Sequence, residues 1–185
     1  LVNNLDSFIV IRSPSQLSEL LTSMHDQLLS TIAAFIGHVH AHTRSSHSSS
    51  YAYLIDMTRE TIERVREILV VVEAVMASPL FIHRSAGELE TSRETLYVAT
   101  TSLVTAARVA TSAPEIESKG GATEDEEKRT LLQSATSVLR SGGECIASIK
   151  KILARRPSDD KEDANRPFEL ALPQLVQTNS TISLV

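Results

Sequence analysis

IDMTRETIERVREILVVVEAVM, residues 55–76, is the stretch of sequence that decides the fold class. Its apolar positions alternate strictly at spacings of three and four residues, as on a helix that packs in a coiled-coil-like bundle. Residues 69–72, Leu-Val-Val-Val, also fit a strand, but the helical spacing continues through them without a slip. The predicted contact stripe consists of Ile55, Thr58, Ile62, Val65, Leu69, Val72 and Met76.

Three further segments carry an apolar stripe with helical spacing. In the fourth of the resulting helices, Gly142 and Gly143 stand side by side and predict a bend or a close contact. The three stripes are Leu17, Leu21, Met24, Leu28, Ile32, Phe35 and Val39; Leu89, Leu96, Ala99, Leu103, Ala106 and Ala110; and Leu131, Ala135, Val138, Cys145, Ile149 and Ile152.

We therefore predict an all-α fold, an up-down-up-down four-helix bundle with long helices at about 15–43, 51–77, 88–112 and 124–156. The bundle, residues 15–156, is expected to form one domain, with an N-terminal extension at 1–14 and a C-terminal tail at 157–185.

Both predicted extensions contain apolar residues that the four stripes do not explain. We expect these termini to be non-helical or to form short helices. Residues 5–11 are apolar enough to lie on the bundle. Residues 168–176 fit either a docking strand or a short helix, and this segment of the tail is expected to pack on the bundle.

The composition excludes several classes of protein. The chain has 185 residues, 42% of them hydrophobic but only 4% aromatic, with a net charge of −5. No basic field therefore attracts nucleic acid, and no interleaved aromatic side chains are available to stack on bases. The one cysteine excludes an internal disulfide. No apolar run approaches the roughly 18 residues of a membrane span, so we expect a cytoplasmic protein.

No catalytic motif stands out in the sequence. There is no Gly-x-Ser-x-Gly, no phosphate-binding loop and no dinucleotide fingerprint. Cys145 falls in phase with the apolar stripe of the fourth helix, as expected for a buried structural thiol. We therefore expect a protein that is not an enzyme and has no cofactor.

His38 and His42 are the candidate metal ligands, because their spacing of four residues places them on one face of a helix. No acidic residue lies between Asp26 and Asp56, so the glutamate of a zinc-protease motif is absent. The other interpretation is a histidine-rich helix end that the helix dipole stabilises. A metal-binding four-helix protein is thus one alternative function.

A basic cluster at the end of the fourth helix is the candidate partner-binding site. It can contact an acidic partner or the headgroups of an anionic membrane, which is a second alternative function, or simply complement the helix dipole. Ser158 follows Arg-Arg-Pro and is a candidate regulatory phosphosite. The cluster consists of Lys150, Lys151, Arg155 and Arg156.

The third and fourth helices share a texture rich in Ser, Thr and Ala, with ETLYVATTSLVTAAR at 94–108 and LLQSATSVL at 131–139. In this texture and in the order of its segments, the region 15–156 resembles the focal-adhesion-targeting bundles of focal adhesion kinase and the GIT adaptors. The vinculin, α-catenin and talin rod bundles are wider relatives, and fungal polarity scaffolds carry GIT-like segments. The resemblance implies an adaptor that docks short amphipathic helices in interhelical grooves, near the cell cortex or the cytoskeleton.

We therefore expect a non-catalytic adaptor or scaffold domain. Its partners are expected to be amphipathic helices or short linear motifs of cytoskeletal, cell-polarity or signalling proteins. No contact with nucleic acid is expected.

Overall fold

Four long helices run through the computed structural model, which describes residues 8–41, 48–81, 86–112, 124–154 and 167–173. Successive helices pack against each other, and α4 also packs against α1, which closes the bundle. The predicted fold class is confirmed. Within the described ranges, no helix combines the length and the apolar character needed to cross a membrane. The helices are α1 (Pro14–Ala41), α2 (Ser48–Ala77), α3 (Ala86–Thr111) and α4 (Glu124–Ala154).

Local hydrogen bonds explain why α1 begins at Pro14. The backbone N–H of Gln16 donates to Ser13 Oγ at 3.1 Å, so Ser13 caps the helix. The Gln16 side chain reaches back and accepts from the Arg12 N–H at 2.9 Å. Pro14 lacks an N–H group, but the first helical position needs none.

Three of the four predicted stripes are buried in the core without exception, namely those of α1, α3 and α4. The stripe of α2 differs in phase. Ile55 is 45% exposed, whereas its neighbour Leu54 is buried. Four residues of the predicted stripe are buried, and Ile62 and Met76 are half-buried. The buried residues of α2 are Leu54, Thr58, Thr61, Val65, Ile68, Leu69, Val71, Val72 and Val75.

The prediction for Ile55 was wrong because the polarity of Thr61 concealed the true phase of α2. Thr61 is fully buried, and its hydroxyl donates to the carbonyl oxygen of Met57 at 2.9 Å. Since this bond satisfies the hydroxyl, the core accepts the side chain at little cost.

The glycine pair in α4 marks a close contact, one of the two interpretations of the sequence. A Cβ atom added to Gly142 would lie 2.6 Å from Leu28 Cδ2 on α1. Leu28 is fully buried, so its side chain cannot move into solvent to relieve this contact. A Cβ atom added to Gly143 would meet only the ring of His25, at 3.4 Å, and that ring is partly exposed.

We predict opposite effects for alanine at these two adjacent positions. Gly143→Ala should raise the free energy of unfolding by about 0.5–1 kcal/mol, because alanine favours a helix over glycine. Gly142→Ala gains the same preference but overpacks the core, which costs about 1–3 kcal/mol. Urea denaturation should therefore rank Gly143→Ala above Gly142→Ala by about 2 kcal/mol. Equal stabilities would contradict the close approach of α4 to α1.

Two short strands, one near each end of the described residues, pair with each other. β1 (Phe8–Ile11) precedes α1, and β2 (Leu170–Pro173) follows α4. The strands pair antiparallel, with Ile11 opposite Leu170. We call this pair the end sheet. Of the two interpretations of residues 168–176, the strand is therefore correct at 170–173.

The end sheet packs on the bundle where α2 ends. β2 contacts α2, and its side chains alternate between buried Leu170 and Leu172 and exposed Ala171. Phe168, just before β2, places its ring edge-on to Phe81, just after α2, with centroids 6.1 Å apart. One face of the sheet thus extends the core of the bundle.

Candidate functional site: the groove between α3 and α4

Two stripes of mostly small side chains line an open groove of about 830 Å³ between α3 and α4, which we call the α3–α4 groove. Both stripes alternate at spacings of three and four residues, so each lies on one face of its helix. The α3 stripe is Thr95, Val98, Ser102, Thr105 and Val109, and the α4 stripe is Glu127, Thr130, Ser134, Ser137, Ser141 and Glu144.

The groove exists because the side chains between the two helices are short. Ala99 and Ala106 of α3, and Ser134 and Ser141 of α4, form its buried floor. These residues fill the space nearest the helix axes but leave the outer space open. At 1.5 Å per residue, the stretch of α4 along the groove, residues 127–144, is about 25 Å long.

The hydroxyl groups on the α3 side of the groove all donate within their own helix. The Ser102 hydroxyl donates to the Val98 carbonyl oxygen at 3.0 Å, and Thr105 donates to Thr101 at 2.9 Å. Thr95, Thr101 and Thr130 make the same bond to the carbonyl four residues earlier. Because these donors are used, the α3 wall is less polar than its composition indicates, whereas the serine hydroxyls of the α4 stripe form no hydrogen bond with a described residue.

Two aliphatic side chains stand exposed at the α3 side of the groove. Val98 is 67% exposed and Val109 is 53% exposed. They lie 11 residues apart on the same stripe, so they project in similar directions about 16 Å apart. A ligand that covers both must be elongated along the helix axis.

A row of longer polar side chains follows the other side of the groove, on α4. Arg129, Gln133, Thr136 and Arg140 lie at successive spacings of four, three and four residues, and we call this row the basic ridge. The ridge borders a second hollow, of about 620 Å³, which His40 of α1 also lines. Gln133 and Arg140 line both the hollow and the groove.

The lysines of the predicted basic cluster lie near the C-terminal end of α4, beyond the basic ridge, and each one contacts a different helix. Lys150 Nζ donates to Thr22 Oγ1 of α1 at 2.8 Å. Lys151 Nζ pairs with Glu88 Oε1 of α3 at 2.7 Å. Both lysines therefore link α4 to its neighbours in the bundle. The rest of the cluster and the phosphosite, Arg155, Arg156 and Ser158, lie outside the described residues, and the binding role of the cluster stays a prediction.

The structure places one of the two candidate metal ligands. The ring of His38 packs against Tyr53 of α2, with ring centroids 4.5 Å apart. His42 lies outside the described residues. Across the described ranges, no three His, Cys, Asp or Glu side chains gather as a metal site. Metal binding by the histidine pair stays a prediction.

Cys145 is fully buried in the core stripe of α4. Burial, and secondarily the charge of Glu144, raises the pKa of its thiol to about 12. The thiolate is the reactive form of cysteine, and almost none is present at neutral pH in the folded protein.

We predict that the Cys145 thiol reacts with Ellman's reagent at pH 8 at least about 100-fold more slowly in the folded protein than in urea. Because the pKa in the unfolded chain is near 8.5, the unfolded state loses this proton first, so stability should fall as the pH rises above about 8.5 towards 12. Cys145→Ala should remove that component of the pH dependence. Rapid labelling without denaturant would contradict the burial of the thiol.

The groove and the basic ridge were missed by the sequence analysis, although a signal for both is present. The α4 stripe from Glu127 to Glu144 has the same three-four alternation as the core stripe. It is composed of Thr, Ser and Glu, so a search for apolar periodicity passes over it. Arg129 and Arg140 are separated by 11 residues and form a row only on a helix.

No protein-family model, curated protein or solved structure matches this chain. Its architecture alone therefore defines its class, an all-α up-down-up-down four-helix bundle with a two-stranded end sheet. The resemblance to focal-adhesion-targeting bundles stays a prediction from sequence texture.

Proposed function

We propose that this chain is a non-catalytic protein-interaction domain, an adaptor or scaffold, that docks an amphipathic helix of another protein in the α3–α4 groove. The observation that carries the proposal is the open groove itself. It is bordered by the exposed side chains of Val98 and Val109, and the hydroxyls of its α3 wall all donate to the backbone of α3.

The dimensions of the groove favour a helix over an extended peptide. A strand or loop leaves its backbone N–H and C=O groups in need of partners, and the hydroxyls on the α3 side of this groove already donate to their own helix. A helix satisfies its own backbone, and its side chains can enter the spaces between small residues. About five turns match the 25 Å length of the groove.

The cellular setting is part of the same proposal. The partners are cytoskeletal, cell-polarity or signalling proteins, and the domain acts in the cytoplasm, at the cell cortex or on the cytoskeleton. The resemblance noted from the sequence supports this setting, and the groove supports the mode of binding.

Matched substitutions on two exposed serines test the proposal. Ser102→Arg places a long cation in the groove, whereas Ser30→Arg places the same side chain in a shallow polar hollow on α1. Both positions are exposed, so both variants should keep the wild-type circular dichroism and melting temperature.

In affinity purification with quantitative mass spectrometry, wild type and Ser30→Arg should retain the same partner, and Ser102→Arg should lose it at least tenfold. Backbone amide shifts caused by the purified partner helix should fall on α3 and α4. Retention by Ser102→Arg, or shifts confined to other helices, would overturn docking in this groove.

A further inference from the structure

The charges beside the α3–α4 groove differ from those of the chain as a whole. The chain carries a net charge of −5. Yet Arg129 and Arg140 both line the hollow along the basic ridge, where Asp125 supplies the carboxylate, while Glu127 and Glu144 line the groove itself. Neither Arg129 nor Arg140 forms a hydrogen bond or an ion pair with another described residue. Both side chains are exposed, so they can reach a ligand without breaking an internal contact.

The spacing of the two arginines selects the shape of an anionic partner. Arg129 and Arg140 are separated by three turns of α4, about 16 Å along its axis. A single phosphate or carboxylate contacts both guanidinium groups only if the two side chains extend toward each other along the helix, whereas an elongated anionic ligand contacts both without that constraint. A row of carboxylates on a helix that lies along α4 repeats at the same distances, because acidic residues at i, i+4, i+7 and i+11 share one face.

The groove and the ridge can serve one ligand because they share residues. Gln133, Ser137 and Arg140 line both the groove and the hollow beside it. A helix that places its contact stripe on Val98 and Val109 therefore presents one flank to the basic ridge. Glu127 and Glu144 border the groove at its two ends. The uncharged contact stripe of the ligand helix therefore lies against the turns of α4 between these two residues.

A second copy of this chain fits the surface poorly. In an antiparallel pairing of the two α4 helices about the middle of the groove, Arg129 would lie near Arg140 of the other copy. Glu127 would lie near Glu144 in the same way. Like charges would meet at both pairs, which disfavours the association. The charge pattern therefore favours a different protein as the occupant.

We propose that the occupant of the α3–α4 groove is a helix of another protein with an uncharged aliphatic contact stripe and a row of Asp or Glu residues along the flank that faces the basic ridge. This inference rests on the proposed function and adds the chemistry of the partner to it.

Three synthetic peptides of 18 residues test the inference. They share a Leu stripe spaced by three and four residues and differ only on one flank, where positions i, i+4, i+7 and i+11 carry Glu, Gln or Lys. In fluorescence anisotropy at about 50 mM salt, the Glu peptide should bind most tightly, the Gln peptide less tightly and the Lys peptide most weakly. Neighbouring members of the series should differ about fivefold, as expected for two exposed ion pairs. The differences should shrink at about 0.5 M salt, where charges are screened.

A charge-reversed variant supplies the specific control. Arg129→Glu with Arg140→Glu should reverse the order, so that the Lys peptide binds best. Arg59→Glu with Arg66→Glu introduces the same charges on the exposed face of α2 and should leave the order unchanged.

The outcomes separate this inference from the proposed function. Binding that Ser102→Arg abolishes, but that shows no preference among the three peptides, would overturn the acidic partner and leave the helix-docking groove intact. No binding of any peptide would overturn both. Self-association of the chain that competes with the peptides would identify a second copy as the occupant and overturn the inference.

Discussion

Leu28→Ala is expected to lower the free energy of unfolding by about 2–5 kcal/mol. Leu28 is fully buried and lies opposite Gly142, where α1 and α4 are in close contact. Truncation to alanine loses the burial of one methine and two methyl groups and leaves a cavity that the helices around it close only in part. Since domains of this size are stable by only about 5–15 kcal/mol, urea denaturation should show a clear shift in midpoint.

The adjacent leucine is the matched control. Leu29 is 45% exposed, so Leu29→Ala should change the stability by less than about 1 kcal/mol. A second test uses Gly142→Ala in the Leu28→Ala background. There the new methyl group enters vacated space, and the substitution should become stabilising by about 1 kcal/mol. Equal losses for the two leucines, or additive effects of Gly142→Ala and Leu28→Ala, would contradict the packing described for α1 and α4.

Leu172→Asp is the second substitution with a large expected effect. Leu172 is buried between the end sheet and the bundle, where a carboxylate would lose its hydration without gaining a partner. The strand is expected to undock before the charge is buried, so the loss equals the free energy with which the end sheet packs. For a few buried aliphatic side chains we expect about 2–4 kcal/mol in urea denaturation.

Ala171→Asp provides the control for Leu172→Asp, because it introduces the same charge one residue earlier on the exposed face of β2. Its expected cost is below about 1 kcal/mol. Hydrogen exchange gives an independent measurement, since the amides of β1 should lose protection in Leu172→Asp and keep it in Ala171→Asp. Equal behaviour of the two variants would show that the end sheet does not pack on the bundle.

The bundle could be predicted because helical periodicity is a local property. The stripes of α1, α3 and α4 consist of aliphatic residues and alanine, together with Phe35, Met24 and Cys145, and all of them are buried where the spacing placed them. The cap by which Ser13 begins α1 is an equally local feature, because it joins residues three apart in the chain. In α2 the same reasoning chose Ile55 instead of Leu54, because the buried Thr61 has a polar side chain whose hydrogen bond is invisible in the sequence.

The candidate site could not be predicted in the same way. The groove depends on the short side chains of two successive helices and on how closely these helices approach, and its α3 wall depends on hydroxyls bonded to their own backbone. A search for apolar periodicity in the sequence detects neither property. The predicted basic cluster includes Lys150 and Lys151, which bond to α1 and α3, whereas Arg129 and Arg140 form no such bond with another described residue.

The sequence by itself therefore determined four amphipathic helices, their order and three of their buried faces, because burial of an apolar stripe requires only the spacing of residues within one segment. Tertiary structure alone decided the contact of Gly142 with Leu28, the pairing of β1 with β2 across most of the chain, and the α3–α4 groove. Each of these depends on the distance between two segments, and that distance is set by how all the side chains of the bundle pack together.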